Sequence, residues 1–112
     1  MTSGGSTGRP KLIVSKAPGS YDPDTPSLEI EQRGVMLVPG PLYHNGPLNW
    51  SVAALLAGSH VVVLARFDAE QTLAAIDTYQ ADIVYLVPTM MKRIWRLPDE
   101  TRLRFDVSSL RP

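Results

Sequence analysis

Three short apolar runs stand out along the chain: Val35-Met36-Leu37-Val38, His60-Val61-Val62-Val63-Leu64 and Asp82-Ile83-Val84-Tyr85-Leu86-Val87. Continuous runs of this length, rich in β-branched residues, predict strands covered on both faces. Lys11-Leu12-Ile13-Val14-Ser15 predicts a further strand. Between the runs the period changes. Leu48, Val52, Leu55 and Leu56 recur at i, i+4, i+7 and i+8, which predicts a helix over 48–57 with those residues on its core face. Gly58 suits the position just past its end. Asp68 can cap a second helix from Ala69 to Tyr79, with Glu70 in its first turn and Leu73, Ile76 and Tyr79 toward the core. Pro88 suits the first turn of a third helix running through Met91 to Trp95. Pro98-Asp99-Glu100 opens a short polar stretch of helical character.

Strands alternating with helices predict an α/β fold: a partial parallel β-sheet with flanking helices and right-handed crossovers. Residues 2 to 10 read as loop, from their glycines, hydroxyls and Pro10. Residues 17 to 33, with Pro18, Gly19, Pro23 and Pro26, read as a long surface connection with a turn of helix near Leu28-Glu29-Ile30-Glu31. There is no internal repeat, heptad run or low-complexity tract. The reading is one partial domain over 1–112, divided into a loop segment (1–11) and an α/β segment (12–112).

Composition narrows the function classes. The chain has 112 residues, 44% apolar and 20% charged, which suits one small globular unit and argues against wholesale disorder. Eleven basic residues balance eleven acidic ones, so net charge gives no hold on nucleic acid or an anionic membrane. Cysteine is absent, which excludes disulfides and thiol catalysis and is compatible with the cytoplasm. His44 and His60 lie far apart without metal-ligand spacing, so no metal ligand is expected. The start lacks a basic region and an apolar core, so it is not a signal peptide. No apolar run approaches the roughly 20 residues of a membrane span. The loop at the very start, with no strand before it, suggests a fragment of a larger domain.

That loop, Ser3-Gly4-Gly5-Ser6-Thr7-Gly8-Arg9-Pro10-Lys11, has phosphate-binding chemistry. Glycines let backbone N–H groups turn onto an anion. Ser6 and Thr7 add hydroxyl donors, and Lys11 adds a mobile cation. It is not a P-loop, because Gly8 leads through Arg9-Pro10-Lys11 into a strand and not a helix. It is not a dinucleotide fingerprint either, since the glycines stand at 4, 5 and 8. A flexible Gly/Ser linker is the competing reading, and the tail Thr7-Gly8-Arg9-Pro10-Lys11 argues against it.

Gly5-Ser6-Thr7-Gly8-Arg9-Pro10-Lys11 resembles the signature of the adenylate-forming superfamily, which includes acyl-CoA synthetases, peptide-synthetase adenylation domains and luciferases. Two positions depart from its pattern: Gly4 replaces a usual Ser or Thr, and Leu12 a usual Gly. Pro41-Leu42-Tyr43-His44-Asn45-Gly46 resembles the family's Pro-[Leu/Met]-[Phe/Tyr]-His-x-x-Gly, with Gly46 one position early. The segments 57–68, Val87-Pro88-Thr89-Met90 and 105–111 resemble later family segments. The resemblance thus covers nearly the whole chain.

The resemblance implies a fragment of the large N-terminal domain of an acyl-activating enzyme. It implies that Ser3, Gly4, Gly5, Ser6, Thr7, Gly8 and Lys11 hold the phosphates of ATP. It implies that His44 lies by the reacting carboxylate and α-phosphate, where an imidazole can donate to developing charge. Alone, a histidine in a Pro/Gly turn reads as surface or packing. Tyr43, Asn45, Thr89 and Met90 are the weaker candidates for a substrate pocket, with core packing the competing reading for the methionines. The parent would use a carboxylic acid, such as a fatty acid, together with ATP, Mg and coenzyme A to form an acyl-adenylate and then a thioester. The family's adenine, magnesium and catalytic-lysine motifs are not in these 112 residues, so this chain alone is expected to be inactive. A stand-alone nucleotide-binding module, an amino-acid adenylation fragment and an α/β interaction domain remain alternatives. Trp50 and Trp95 read as packing or interface residues. Lys92, Arg93, Arg96, Arg102 and Arg104 read as a solvated basic surface, with no nucleic-acid partner. Open sheet edges would favour self-association.

Overall fold

The computed structural model describes residues 34–111 and, beyond these, the backbone pairing of Thr2–Ser3 with Lys11–Leu12. Thr2–Ser3 (β1) and Lys11–Leu12 (β2) are antiparallel, with Thr2 opposite Leu12 and Ser3 opposite Lys11. The expectation that residues 2 to 10 are all loop is therefore corrected at its first two positions. Ladder pairing uses backbone groups, which hydroxyl-bearing residues carry as well as any. Residues 13–15 of the expected strand, and the connection 17–33 with its turn near Leu28, lie outside the described residues.

The main sheet has three parallel strands: Val35–Val38 (β3) at the centre, His60–Val63 (β4) on one side and Ile83–Val84 (β5) on the other. Met36 registers with Val61 and Ile83, and Leu37 with Val62 and Val84. The strand expected over 82–87 is thus shorter than its apolar run. Tyr85 N–H still donates to the Leu37 carbonyl (3.0 Å), but the central strand ends at Val38. Pro39 then offers no N–H to continue the ladder.

Because strand residues alternate between faces, β3 feeds two cores. Met36 and Val38 pack with Ala54, Trp50, Val61, Ile83 and Tyr85. Leu37 packs with Leu73, Ala75, Ile76 and Ala81, joined by Val35, Val62, Val84 and Ile94. The first core is closed by Asn45–Leu56 (α1). The second is closed by Ala69–Tyr79 (α2), with Pro88–Trp95 (α3) and Asp99–Leu103 (α4) packed on α2. The result is the expected α/β arrangement with helices on both faces.

One helix presents a different face than its period predicts. In α1 the buried residues are Pro47, Ser51 and Ala54. Leu48, Val52, Leu55 and Leu56, expected in the core, are 37%, 45%, 61% and 49% exposed. The two stripes are offset by one residue, roughly 100° around the axis. Small side chains let the helix lie close to the sheet, and Ser51 remains satisfied there by donating to the Pro47 carbonyl (2.7 Å). The helix also starts earlier than expected, at Asn45, and ends as expected before Gly58, whose φ is +79°.

α2 follows its sequence signals. Asp68 accepts from the Gln71 N–H (2.8 Å), and Leu73 and Ile76 are buried. Tyr79 departs from expectation: it is about half exposed and stands edge-on to His60, with centroids 6.3 Å apart. Trp95 is 74% exposed beneath the Arg102 guanidinium, 4.5 Å from its centroid. Lys92, Arg93 and Arg96 are exposed, as expected of a solvated surface. Among the described residues no helix is long and apolar enough to cross a membrane.

Asp82 ties the strand starts together. Its carboxylate accepts from the Val35 N–H (2.9 Å) and lies 3.7 Å from the Arg111 guanidinium. Its own N–H donates to the Val35 carbonyl (3.0 Å), and its carbonyl accepts from the Arg111 N–H (2.9 Å). Asp82→Ala leaves the partly buried Val35 N–H without its acceptor and should cost about 1–3 kcal/mol. Urea unfolding would measure this, with Asp82→Asn recovering part of the loss. An effect below about 0.5 kcal/mol, the range of ordinary surface changes, would mean the carboxylate is no clamp. Near the carboxyl end, hydrogen bonds from the Ser108 hydroxyl and then its backbone N–H hold the Asp106 carboxyl below the usual carboxylate range.

Candidate functional site

Two strand-to-helix turns meet at the carboxyl end of the sheet. After β3, the buried Pro39 and Gly40 lead to Pro41 and a turn in which His44 N–H reaches the Pro41 carbonyl (3.4 Å). His44 is the extended N-cap of α1, and its carbonyl accepts from the Leu48 N–H (3.1 Å). After β5, Val87 is the extended N-cap of α3 and Pro88 its first residue. The two turns touch: a Cβ placed on Gly40 would lie 3.3 Å from Met90 Cε.

Between them lies a cavity of about 300 Å³ lined by Pro41, His44, Gly46, Pro47, Tyr85, Val87 and Met90. Open α/β sheets place ligands at this end of their strands. The lining is mainly apolar, with the His44 imidazole and the Tyr85 hydroxyl as its polar side-chain groups. Both helices point their N-termini, the positive ends of their dipoles, toward these turns. Neither carries an acidic residue in its first turn, so no carboxylate of those turns repels an anionic group there. A compact carboxylate with an apolar tail matches this chemistry.

The sequence candidates distribute unevenly. His44 and Met90 line the cavity together. Tyr43 is 79% exposed, its ring tilted beside that of His44 at 4.5 Å, and it is not in the lining. Asn45 is exposed, and its carbonyl oxygen accepts from the Asn49 amide (2.8 Å). Thr89 is exposed and outside the lining. These three lie outside this cavity's lining. In each case the neighbouring residue on the strand-to-helix turn takes the inward position. Ser3 and Lys11 are register partners in β1 and β2, while Gly4, Gly5, Ser6, Thr7 and Gly8 lie outside the described residues.

Tyr85 is the residue that sequence reasoning missed. Its hydroxyl lies 2.0 Å from the point a Cβ on Gly46 would occupy. Its ring packs against Trp50, with centroids 6.1 Å apart. The available signal was a single polar-tipped aromatic inside an apolar run, at the strand end that opens onto ligands. Among the described residues no group of three or more His, Cys, Asp or Glu gathers as a metal site.

Known proteins share this architecture. The N-terminal domain of FACL13 from Mycobacterium tuberculosis superposes with a TM-score of 0.78 at 20% identity, over 99% of this chain and 28% of that one. The amide bond synthetase McbA from Marinactinospora thermotolerans gives 0.64 at 30% identity, over 75% of this chain and 17% of that one. By sequence, 2-succinylbenzoate–CoA ligase of Bacillus licheniformis is 32% identical over 97 residues, 84% of this chain. The 4-coumarate–CoA ligase-like 8 protein of Arabidopsis thaliana is 39% identical over 72 residues, 63% of this chain. The chain spans only 20% and 13% of these two relatives. The family described as "AMP-binding enzyme" matches residues 1–112, and this chain belongs to that family.

Proposed function

We propose that the chain is part of an acid–CoA ligase that joins a carboxylic acid to ATP and then to coenzyme A. The observation that carries this reading is the cavity with His44 on its wall, set between two helix starts, in a chain of the AMP-binding family. Relatives named as CoA ligases support the reaction class. In the first step a carboxylate oxygen attacks the α-phosphorus of ATP, and the bond to pyrophosphate breaks. His44 donates a hydrogen bond to the charge that develops there. Ser3, Gly4, Gly5, Ser6, Thr7, Gly8 and Lys11 grip the departing phosphates. In the second step the thiol of coenzyme A displaces AMP from the acyl carbon. Magnesium would neutralise the polyphosphate; among the described residues no group of three or more His, Cys, Asp or Glu gathers to hold it. Fatty acids are one class of acid within this reading. The outer strands β4 and β5 would favour association of chains.

The test is expression of the whole reading frame that contains these residues. Pyrophosphate release should require both ATP and a carboxylic acid, and mass spectrometry should find the CoA thioester. His44→Ala should lower kcat by about 10²–10³, the usual cost of removing a donor to developing charge. The 112-residue chain by itself should form no thioester, because acyl transfer needs many positioned groups. A whole-frame protein that never releases pyrophosphate with any acid would sink the reading.

A further inference from the structure

The Tyr85 ring has a position that the reaction does not explain. It lines the 300 Å³ cavity beside His44, and it also lines a second cavity of about 280 Å³ with Trp50, Ile83, Val84 and Leu86. Tyr85 is the one residue common to both linings. Its place is fixed from two directions. Trp50 packs on it at 6.1 Å, and its backbone N–H is held by Leu37 at 3.0 Å. On α1 a glycine stands where any side chain would collide with the phenol: a Cβ on Gly46 would lie 2.0 Å from Oη and 2.6 Å from Cζ. The missing side chain on one wall and the large one on the other form a matched pair.

From this geometry we infer that the Tyr85–Gly46 pair is a specificity partition that closes the apolar end of the site and restricts the enzyme to carboxylic acids with short or single-ring tails. The inference rests on the ligase reading above. A carboxylate near His44 directs its tail into the mainly apolar cavity. The cavity's size is at the small end of the range for ligand sites, roughly 300–1,000 Å³. Tyr85 is the residue that its lining shares with the neighbouring cavity. On this inference, removing the ring would join the two cavities, whereas removing only the hydroxyl would leave the partition standing.

The experiment is a chain-length profile of straight-chain and aryl acids, measured as CoA thioester formed by the whole reading frame. Wild type should favour the shorter acids. Tyr85→Ala should move the optimum to longer tails, raising kcat/KM for a long acid relative to a short one by at least tenfold. Tyr85→Phe should keep the wild-type cut-off. The ratio between acids is the readout, because a merely structural defect lowers all acids together. An unchanged ratio in Tyr85→Ala, with wild type active, overturns the partition and leaves the ligase reading intact. The same shift in Tyr85→Phe would assign selectivity to the hydroxyl and also overturn it. A wild type inactive on every acid takes down the proposed function and this inference with it.

Discussion

Leu37→Ala should destabilise the chain by about 2–5 kcal/mol, the range for emptying a tightly held core site. Leu37 is fully buried on the central strand. It meets Leu73, Ala75 and Ile76 of α2 and Ala81 beyond it. β3 is hydrogen-bonded to a strand on each side, so the backbone cannot move in to fill the void. Small domains are stable by only about 5–15 kcal/mol, and this one change takes a large share. The contrast variant is Leu55→Ala. The sequence period places Leu55 in the core, but it is 61% exposed, so its truncation should cost under about 1 kcal/mol. Urea midpoints of the two variants decide the matter. Equal losses, or a larger loss at Leu55, would show that α1 sits on the sheet by its leucine face instead.

Gly46→Ala should lower stability by about 1–3 kcal/mol, against the usual trend for a helix. Within a helix, alanine is ordinarily better than glycine by roughly 0.5–1 kcal/mol. Here the added carbon would fall 2.0 Å from the Tyr85 hydroxyl and 2.6 Å from its ring carbon. The ring is backed by Trp50 and cannot retreat without disturbing that contact. Steric conflict therefore outweighs propensity and reverses the sign. The same substitution in a Tyr85→Ala background meets no ring and should be neutral or stabilising. Thermal melts of the two single variants and the double variant give the coupling, expected at about 1–3 kcal/mol for residues in contact. Additive effects would mean that the two side chains do not share this space.

Much of the scaffold was legible because its signals are local. The Asp68 cap, Pro88 at the start of α3 and Gly58 past the end of α1 each act within a turn of their own position. The helices at 69–79 and 88–95 accordingly fall where those residues place them. Val35–Val38 is bounded by Pro39-Gly40-Pro41 and carries its own stop signal. The carboxyl end of β5 carries none, so the apolar run 82–87 reads longer than the two residues that pair. Of the pocket candidates, His44 and Met90 line one cavity together. Tyr43, Asn45 and Thr89 are their neighbours in sequence but not in the lining, because successive residues of a turn or a helix start point in different directions.

By itself the sequence determined which elements exist, their order, and the alternation that makes an α/β sheet with parallel strands. It also carried the Gly5-to-Lys11 signature and the His44 segment by which the chain resembles its family. Only the tertiary structure decided which stripe of α1 meets the sheet. That helix bears apolar residues around much of its circumference, so its period fits more than one face, and the closeness of β3 and β4 selects the small residues Pro47, Ser51 and Ala54. Tertiary structure also decided that β1 and β2 pair across segment 4–10 and that Tyr85 occupies the room left by Gly46. Those contacts join residues 8 to 39 positions apart in sequence, as the pairs Ser3 with Lys11 and Gly46 with Tyr85 show. Propensity and periodicity act within a few residues and carry no information about partners at that range.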